Sequence, residues 1–500
     1  MKLTRKEFLG VVATSGAGSI IGSRVEHVSA APTKLEKAAI KGSTAAVASF
    51  IRQTTLKDVP SDAVAQAKRC LIDGFGVILA GSTVHGSAIV REYVKAGTEK
   101  REATVLGSGG QMTSVAYAAL ANGASGHAMD FDDTQLSTTP DRTYGLLTHP
   151  TLPALCAALA VSERKAGSGA TFLEAFLVGF EVECKIAEAI DPAHYTNGFH
   201  SSGTIGTFGA AAAAAKLMNL DERQLGHMLA ITSSVAAGIR VNFGSMTKPL
   251  HVGRASENGV FAADLASRGF TGGDDGLDGE WGFFQVLGGG ADLDRLNGIL
   301  GRPWSIVKPG VSVKPYPCGV LSHPSMDAML KVVTERDLKP EQVRAIRLRA
   351  GSNILQPLRY RIAKTELEAK FCIPFLLSAI LLRRRAGVRE FTDEFVASAP
   401  VQEMMTRVTP VFDQQIEAQG FDKIRSIVEV DLVNGQTIVQ PSDDAYRGGP
   451  DRPFTRADLH AKFTDCAQLS MKPEQMTRAL AAIEGVQEMS DVRELVKALA

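Results

Sequence analysis

The sequence predicts a mainly α-helical protein, a large helical domain with a smaller α+β domain inserted before its last helices. Three observations predict it. Apolar residues recur at spacings of three and four through most of residues 35–310. Beyond Pro309-Gly310 two runs alternate apolar and polar side chains as half-exposed strands do. Helical periodicity then returns from about residue 452 to the end. The expected boundaries are 1–31 for a leader, 35–310 for the helical domain, 311–445 for the α+β domain and 446–500 for the closing helices.

The elements follow in order. Lys2, Arg5 and Lys6 precede an apolar run from Phe8 to Ile21, and Val28-Ser29-Ala30 supplies small residues for cleavage. That layout is an export signal, too short for a spanning helix of about 20 residues. Thr4 to Leu9 is similar to a twin-arginine motif with Lys6 in the second arginine place, so a periplasmic location is expected, with the cytoplasm as the alternative. Ser61 is a candidate N-cap, followed by Val64, Ala67, Leu71, Phe75 and Ile78 on one helix face. Further helices are expected over 154–163, 172–190, 209–217 and 222–237. The alanine run 210–215 suits helices that approach closely. Strands are expected at 343–350 and 427–433, and Asn434-Gly435 predicts a type I′ hairpin into 437–439. Helices are expected at 324–335 and 366–382, and two more after Lys472-Pro473 and Ser490-Asp491.

Composition narrows the function. Lys plus Arg and Asp plus Glu both number 54, so net charge is zero, which argues against a dedicated nucleic-acid binder. Six cysteines lie far apart with no C-x-x-C pair, which disfavours zinc ribbons, thioredoxin-like sites and a disulfide framework. They read as small buried hydrophobes.

Four segments carry chemistry. In HAMDFDDTQLSTTPDRTYGLLTHP (127–150), Asp130, Asp132, Asp133 and Thr134 lie between His127 and His149. Such carboxylates hold Mg²⁺ or Ca²⁺ through oxygen, or orient a histidine for proton transfer; a capped loop with solvated carboxylates gives the same run. Residues 198–216 place His200 before a glycine-rich helix, where a Rossmann fingerprint is excluded because a helix, not a strand, precedes it. Residues 246–272 carry Lys248 and His251, and residues 313–330 carry Lys314 at the entry to the α+β domain. A lone lysine or histidine is usually structural or solvated; four such segments together are less easily so explained.

Taken together, His127–Thr134, His149-Pro150, Gly198–His200, Thr247–Gly253, Lys314–Cys318 and Leu367–Phe371 resemble the MmgE/PrpD family. This is the family of 2-methylcitrate dehydratases, cis-aconitate decarboxylases and iminodisuccinate epimerases. The resemblance runs over roughly 40–495 in the family's order. It implies a helical domain with an α+β lid, a homodimer, no metal or organic cofactor, and a small di- or tricarboxylate substrate bound in the cleft between domains; no stable membrane anchor is expected either. Carried over by position, Asp130, Thr134 and His149 match the acidic-loop site, His200 the site histidine, and Lys248 and Lys314 the two site lysines. The decarboxylase branch has a histidine shortly after that last lysine. Gly319 stands there, and His323 aligns elsewhere, which counts against decarboxylation and 2-methylcitrate dehydration in particular.

Physical chemistry agrees with the class. Lysines pair carboxylates as point charges, and a proton removed beside a carboxylate leaves negative charge that cations stabilise. His149 is the expected proton-transfer group, oriented by Asp130, with His200 as second acid–base group or substrate ligand, and Thr134, Lys248 and Lys314 as substrate-binding residues. The expected activity is cofactor-independent elimination from a polycarboxylate. Epimerisation or isomerisation is the alternative inside the family, and a non-catalytic carboxylate-binding protein the alternative outside it. A hydrolase using a metal on the three aspartates comes last.

Overall fold

A computed structural model describes residues 42–136 and 146–500. The leader expected at residues 1–31 lies outside the described residues. Helices dominate the first half of the described chain: α1 (Ser43–Gln53), α2 (Ser61–Gly81), α3 (His85–Ala96), α4 (Val115–His127), α5 (Thr151–Lys165), α6 (Gly169–Ala189), α7 (Gly206–Met218), α8 (Glu222–Val235) and α9 (Thr247–Ser267). Among the described residues no helix is long and apolar enough to cross a membrane.

The alanine run explains how these helices pack. Ala210 to Ala215 on α7 are all 0% exposed, and a Cβ on Gly259 of α9 would stand 2.5 Å from Ala210 Cβ. Likewise a Cβ on Gly253 would come within 2.6 Å of Leu120 O on α4. Only small residues permit backbones this close. The contact between α4 and α9 matters for function, because it sets His127, the last residue of α4, beside the first turn of α9.

After Ser267 the expected helical character lapses. Residues 268–310 run through turns and short 3₁₀ and π segments, where glycines such as Gly269, Gly289, Gly298 and Gly301 adopt positive φ. Glycine's backbone freedom wins here over the apolar spacing.

The α+β region follows: α10 (His323–Glu335), β1 (Val343–Ala350), α11 (Ile373–Arg383), β2 (Val408–Phe412), β3 (Ser426–Leu432) and β4 (Thr437–Pro441). The sheet order is β2-β1-β3-β4, with β1 and β2 parallel and the other pairs antiparallel. Ile346 pairs with Val408 and Val430, and Val430 with Ile438, so one sheet face points into the core against α10 and α11. The helix expected over 366–382 is split in two. One turn, Glu366–Ala369, precedes α11, which restarts after Cys372 with Pro374 in its first turn, a position that tolerates a residue without N–H.

The β3–β4 hairpin also departs from expectation. Only Gly435 has positive φ, at 90°. Gly435 N donates to Leu432 O, and Leu432 N to Gln436 O. The loop is therefore a three-residue turn closed by a left-handed glycine rather than a two-residue type I′ turn. Likewise Ser61 is the first helical residue of α2, with Pro60 before it, and not the cap.

The chain ends in α12 (Arg456–Ala467), α13 (Pro473–Glu484) and α14 (Arg493–Leu499). These return to the first half of the molecule: Leu459, Phe463, Ile483 and Leu495 share a core with Leu71, Phe75 and Phe176, and Lys462 pairs with Asp73 at 2.6 Å.

Candidate active site

The chain leaves α4 through His127 and enters a turn in which Asp130 adopts φ 50°. Aspartate is among the few residues that tolerate this left-handed conformation. The turn sends successive carboxylates different ways. Asp130 Oδ1 accepts from Lys248 Nζ and from Lys314 Nζ, each at 2.9 Å. Asp132 turns to the histidines, with both oxygens 2.9 Å from His127 Nδ1 and Oδ2 3.3 Å from His149 Nδ1. Asp133 accepts from the Thr151 hydroxyl at 2.7 Å, at the start of α5.

Lys248 lies in the first turn of α9 and Lys314 just beyond Ser312; both are buried. Ser312 exchanges two backbone hydrogen bonds with Thr134, and that short antiparallel bridge brings Lys314 to Asp130. Lys248 Nζ also lies over the rings of Phe243 and Phe371, at 5.4 and 5.5 Å. Burial lowers the Lys248 pKa; Asp130 opposes this and Lys314 adds to it. Burial alone would raise the Asp130 carboxyl, yet the Lys248 and Lys314 ammonium groups outweigh it and hold that carboxyl well below the usual range. Asp130 Oδ2 is buried with no hydrogen-bond partner among the described residues.

Three imidazoles cluster beside this pair, His127 stacked on His200 and His149 edge-on to both. Ring centroids of His127 lie 4.7 Å from His149 and 5.6 Å from His200. Burial pushes His127 down to about 3 against the pull of Asp132, so its ring is neutral. Its Nδ1–H donates to Asp132, and its Nε2 accepts from Lys248 at 2.6 Å. His149 precedes α5, and its Nδ1 lies 2.9 Å from the Asp133 carbonyl. A carbonyl only accepts, so His149 carries Nδ1–H and leaves Nε2 a bare lone pair. Burial lowers its pKa too, opposed by Asp132. His200, at the entry to the one-turn helix Ser201–Thr204, is depressed furthest by burial, then by Lys248.

These groups border one cavity of about 30 Å³. Asp130, His149, His200 and Lys248 line it from the helical side, and Lys314, Gly319 and Phe371 from the other. Of the six residues expected from sequence, five thus converge. Thr134 is fully buried and off the lining, and its backbone forms the bridge to Ser312. The expected pairing of Asp130 with His149 is also corrected. Asp132 and the Asp133 carbonyl orient that ring, because the left-handed turn commits Asp130 to the lysines. His127 and Asp132 stand inside the HAMDFDD segment, but the sequence assigns neither a role of its own; the structure gives Asp132 the histidine-orienting part. A larger depression of about 220 Å³, bordered by His85, Leu250 and Glu366 among others, also touches Ala128 but none of the three clustered imidazoles.

Of the two readings of Asp-x-Asp-Asp, the one in which the carboxylates orient a histidine fits better, since Asp130 is taken by the lysines, Asp132 by the histidines and Asp133 by Thr151. Nitrogens of His127, His149 and His200 do lie within 4.8 Å of one another, as do donors of His127, Asp130, Asp132 and His149. Both nitrogens of His127 are already engaged, however, and an ammonium sits on Nε2. The chemistry on offer is anion binding by two ammonium groups, beside neutral imidazoles able to accept or release a proton.

Comparison with known proteins agrees. The MmgE/PrpD N-terminal domain matches residues 45–296 and the MmgE/PrpD C-terminal domain residues 316–487. The chain is 28% identical over 458 residues to the cis-aconitate decarboxylase of Homo sapiens, covering 90% of this chain and 93% of that one. It is 28% identical over 473 residues to the Mus musculus enzyme of that name, covering 92% and 94%. The cis-aconitate decarboxylase of Aspergillus terreus (strain NIH 2624 / FGSC A1156) is 24% identical over 422 residues, covering 80% and 84%. Fold, site and relatives define an enzyme of the lyase type. The chain belongs to the MmgE/PrpD family.

Proposed function

We propose that this enzyme eliminates a small group from a di- or tricarboxylate by proton transfer at a carbon beside a carboxylate, with dehydration as the first reading. The carrying observation is the meeting of two buried lysines and two neutral, cavity-lining histidines at one point. Lys248 and Lys314 bind substrate carboxylates. His149 Nε2 takes the proton, with Asp132 and the Asp133 carbonyl holding the tautomer, and His200 is the second acid–base group. Negative charge that develops on the substrate is stabilised by both ammonium groups in a site that excludes water. The vacant Asp130 Oδ2, ionised and buried, calls for a donor from the ligand. A hydroxyl provides one, which favours a hydroxy acid and the loss of water.

Decarboxylation is the second reading, favoured by the names of the relatives. Gly319, with no side chain to offer the cavity, stands against it. A cavity of about 30 Å³ has room for roughly one water. Entry of a tricarboxylate is then by the α+β region drawing away from the helical body, the motion of a lid.

Proton NMR of the purified full chain in D₂O, against a panel of hydroxylated and unsaturated di- and tricarboxylates, separates these readings. Loss of water with deuterium exchange is expected. Release of CO₂ selects the second reading, deuterium uptake without loss of a fragment indicates epimerisation, and inertness towards every member overturns the proposal.

A further inference from the structure

His251 stands on α9 three residues beyond Lys248, and its Nδ1 lies 3.0 Å from Nδ1 of His200. Two neutral imidazoles joined through like nitrogens need one Nδ1–H and one bare Nδ1. The rings therefore hold opposite tautomers. With the hydrogen on His200 Nδ1, His200 Nε2 is a lone pair. With the hydrogen on His251 Nδ1, His200 Nε2 carries its own hydrogen and is a donor. His200 Nε2 is buried and lacks a hydrogen-bond partner among the described residues, and His200 borders the cavity. Whether the cavity meets a base or an acid is thus decided at the contact with His251.

The surroundings are shaped for that contact. A Cβ on Gly203 would stand 3.0 Å from His251 Cβ, and one on Gly238 would stand 3.2 Å from His251 Cγ. Gly238 adopts φ +146° and its carbonyl accepts from His200 N at 3.0 Å. A side chain at Gly203 would collide with the Ala237 carbonyl at 2.7 Å, and the φ of Gly238 favours glycine. His251 is the outer ring of the pair, 8% exposed against 1% for His200.

We propose that His251 is a proton-relay residue, exchanging protons between His200 and solvent through the shared Nδ1–Nδ1 hydrogen bond. This rests on the proposed function only in taking His200 as an acid–base group. His200 starts with Nε2–H and a bare Nδ1, and gives its Nε2 proton to the leaving hydroxyl, which departs as water with the electron pair of the broken C–O bond. His251 takes a proton from water at its bare Nε2, becomes an imidazolium and passes its Nδ1 proton to His200 Nδ1. Both rings end neutral, His200 with a bare Nε2 and His251 with Nε2–H. The reverse sequence carries a proton from the site to solvent. Burial, and then the Lys248 charge, set the His251 pKa at about 4, so its imidazolium releases the proton readily near neutral pH.

The test uses the full chain labelled with ring-¹⁵N histidine, comparing wild type with His251→Asn and His251→Phe. Asparagine fills the Nδ1 position but passes no proton through. Wild-type His200 is expected to show nitrogen shifts averaged between the two tautomers, and His251→Asn a single fixed one. The same fixed tautomer in both overturns the relay. With cis-aconitate as probe in D₂O, deuterium incorporation in both variants is expected to fall about 10- to 100-fold, with KM changed by less than about twofold. Unaltered incorporation overturns the relay. If wild type neither exchanges nor converts cis-aconitate, the proposed function fails for that probe, and the nitrogen spectra alone decide the relay.

Discussion

Two networks of opposite charges sit in this molecule under different solvent. In the site, Asp130 holds Lys248 and Lys314, and Asp132 holds His127 and His149, with every side chain at most 6% exposed. On the outer face of the sheet, Arg347 of β1 spans Glu429 and Asp431 of β3, with the arginine 37% exposed. The pairings look alike; the consequences differ. On the sheet each partner reinforces the other's charge. Hydrogen bonds to Asp431 and Glu429 raise Arg347, and those from Arg347 lower both carboxyls. In the site burial dominates. It drives His127, His149, His200 and Lys248 towards their neutral forms while the ammonium groups keep Asp130 ionised. Water makes the first network a weak staple; its exclusion makes the second a reactive one.

The largest test of this contrast is Asp130→Asn. It leaves two buried ammonium groups without their shared counter-charge. A loss of about 3–5 kcal/mol in urea unfolding at neutral pH is expected, together with abolished turnover. A loss under about 1 kcal/mol would put the two networks in one class. Next comes His149→Gln, expected to lower turnover about 10²- to 10⁴-fold with the unfolding midpoint little changed; retained activity refutes its role.

A third prediction concerns pH. His149 acts as the neutral base, and its pKa is depressed, so the acid limb of kcat/KM is expected below pH 6.5, and a limb above that value contradicts the assignment. Stability follows the same sign at His127. Its folded value of about 3 lies below the ordinary 6.5. Its contribution is therefore complete above pH 6.5 and is lost as pH falls towards 3, because the unfolded chain binds the proton first. The destabilisation caused by His127→Asn is expected to shrink between pH 7 and pH 4 in urea titrations, and growth over that range would reverse the sign. The smallest effect belongs to Arg347→Ala, about 0.2–1 kcal/mol at low salt, fading near about 1 M salt, with turnover unchanged.

Much of this was legible beforehand where the cause was local. The alternation at 343–350 and 427–433 forms strands because period two puts one set of side chains on one face. The alanine run forms a buried helix. Six site residues follow from the family resemblance of short motifs, and five of them line the cavity. What failed depended on backbone geometry. The hairpin at Asn434-Gly435 took a longer loop, since only the glycine adopted positive φ. Glycines after Ser267 unravelled an expected helical stretch. Asp130 faces the lysines rather than His149, and Thr134 lies off the cavity lining, because both placements turn on directions in space.

By itself the sequence determined composition, element types and the kinds of group available: two lysines, a run of aspartates, several histidines far apart in the chain. Those follow from side-chain identity and periodicity, which need no long-range contact. Only the tertiary structure decided which carboxylate neutralises which cation, which imidazole nitrogen is bare, and that His251 touches His200. Such pairings depend on a left-handed residue at 130 and on small residues letting α4, α7 and α9 close together. Distances of about 3 Å between groups more than a hundred residues apart, such as Asp130 and Lys248, arise only when the core has packed.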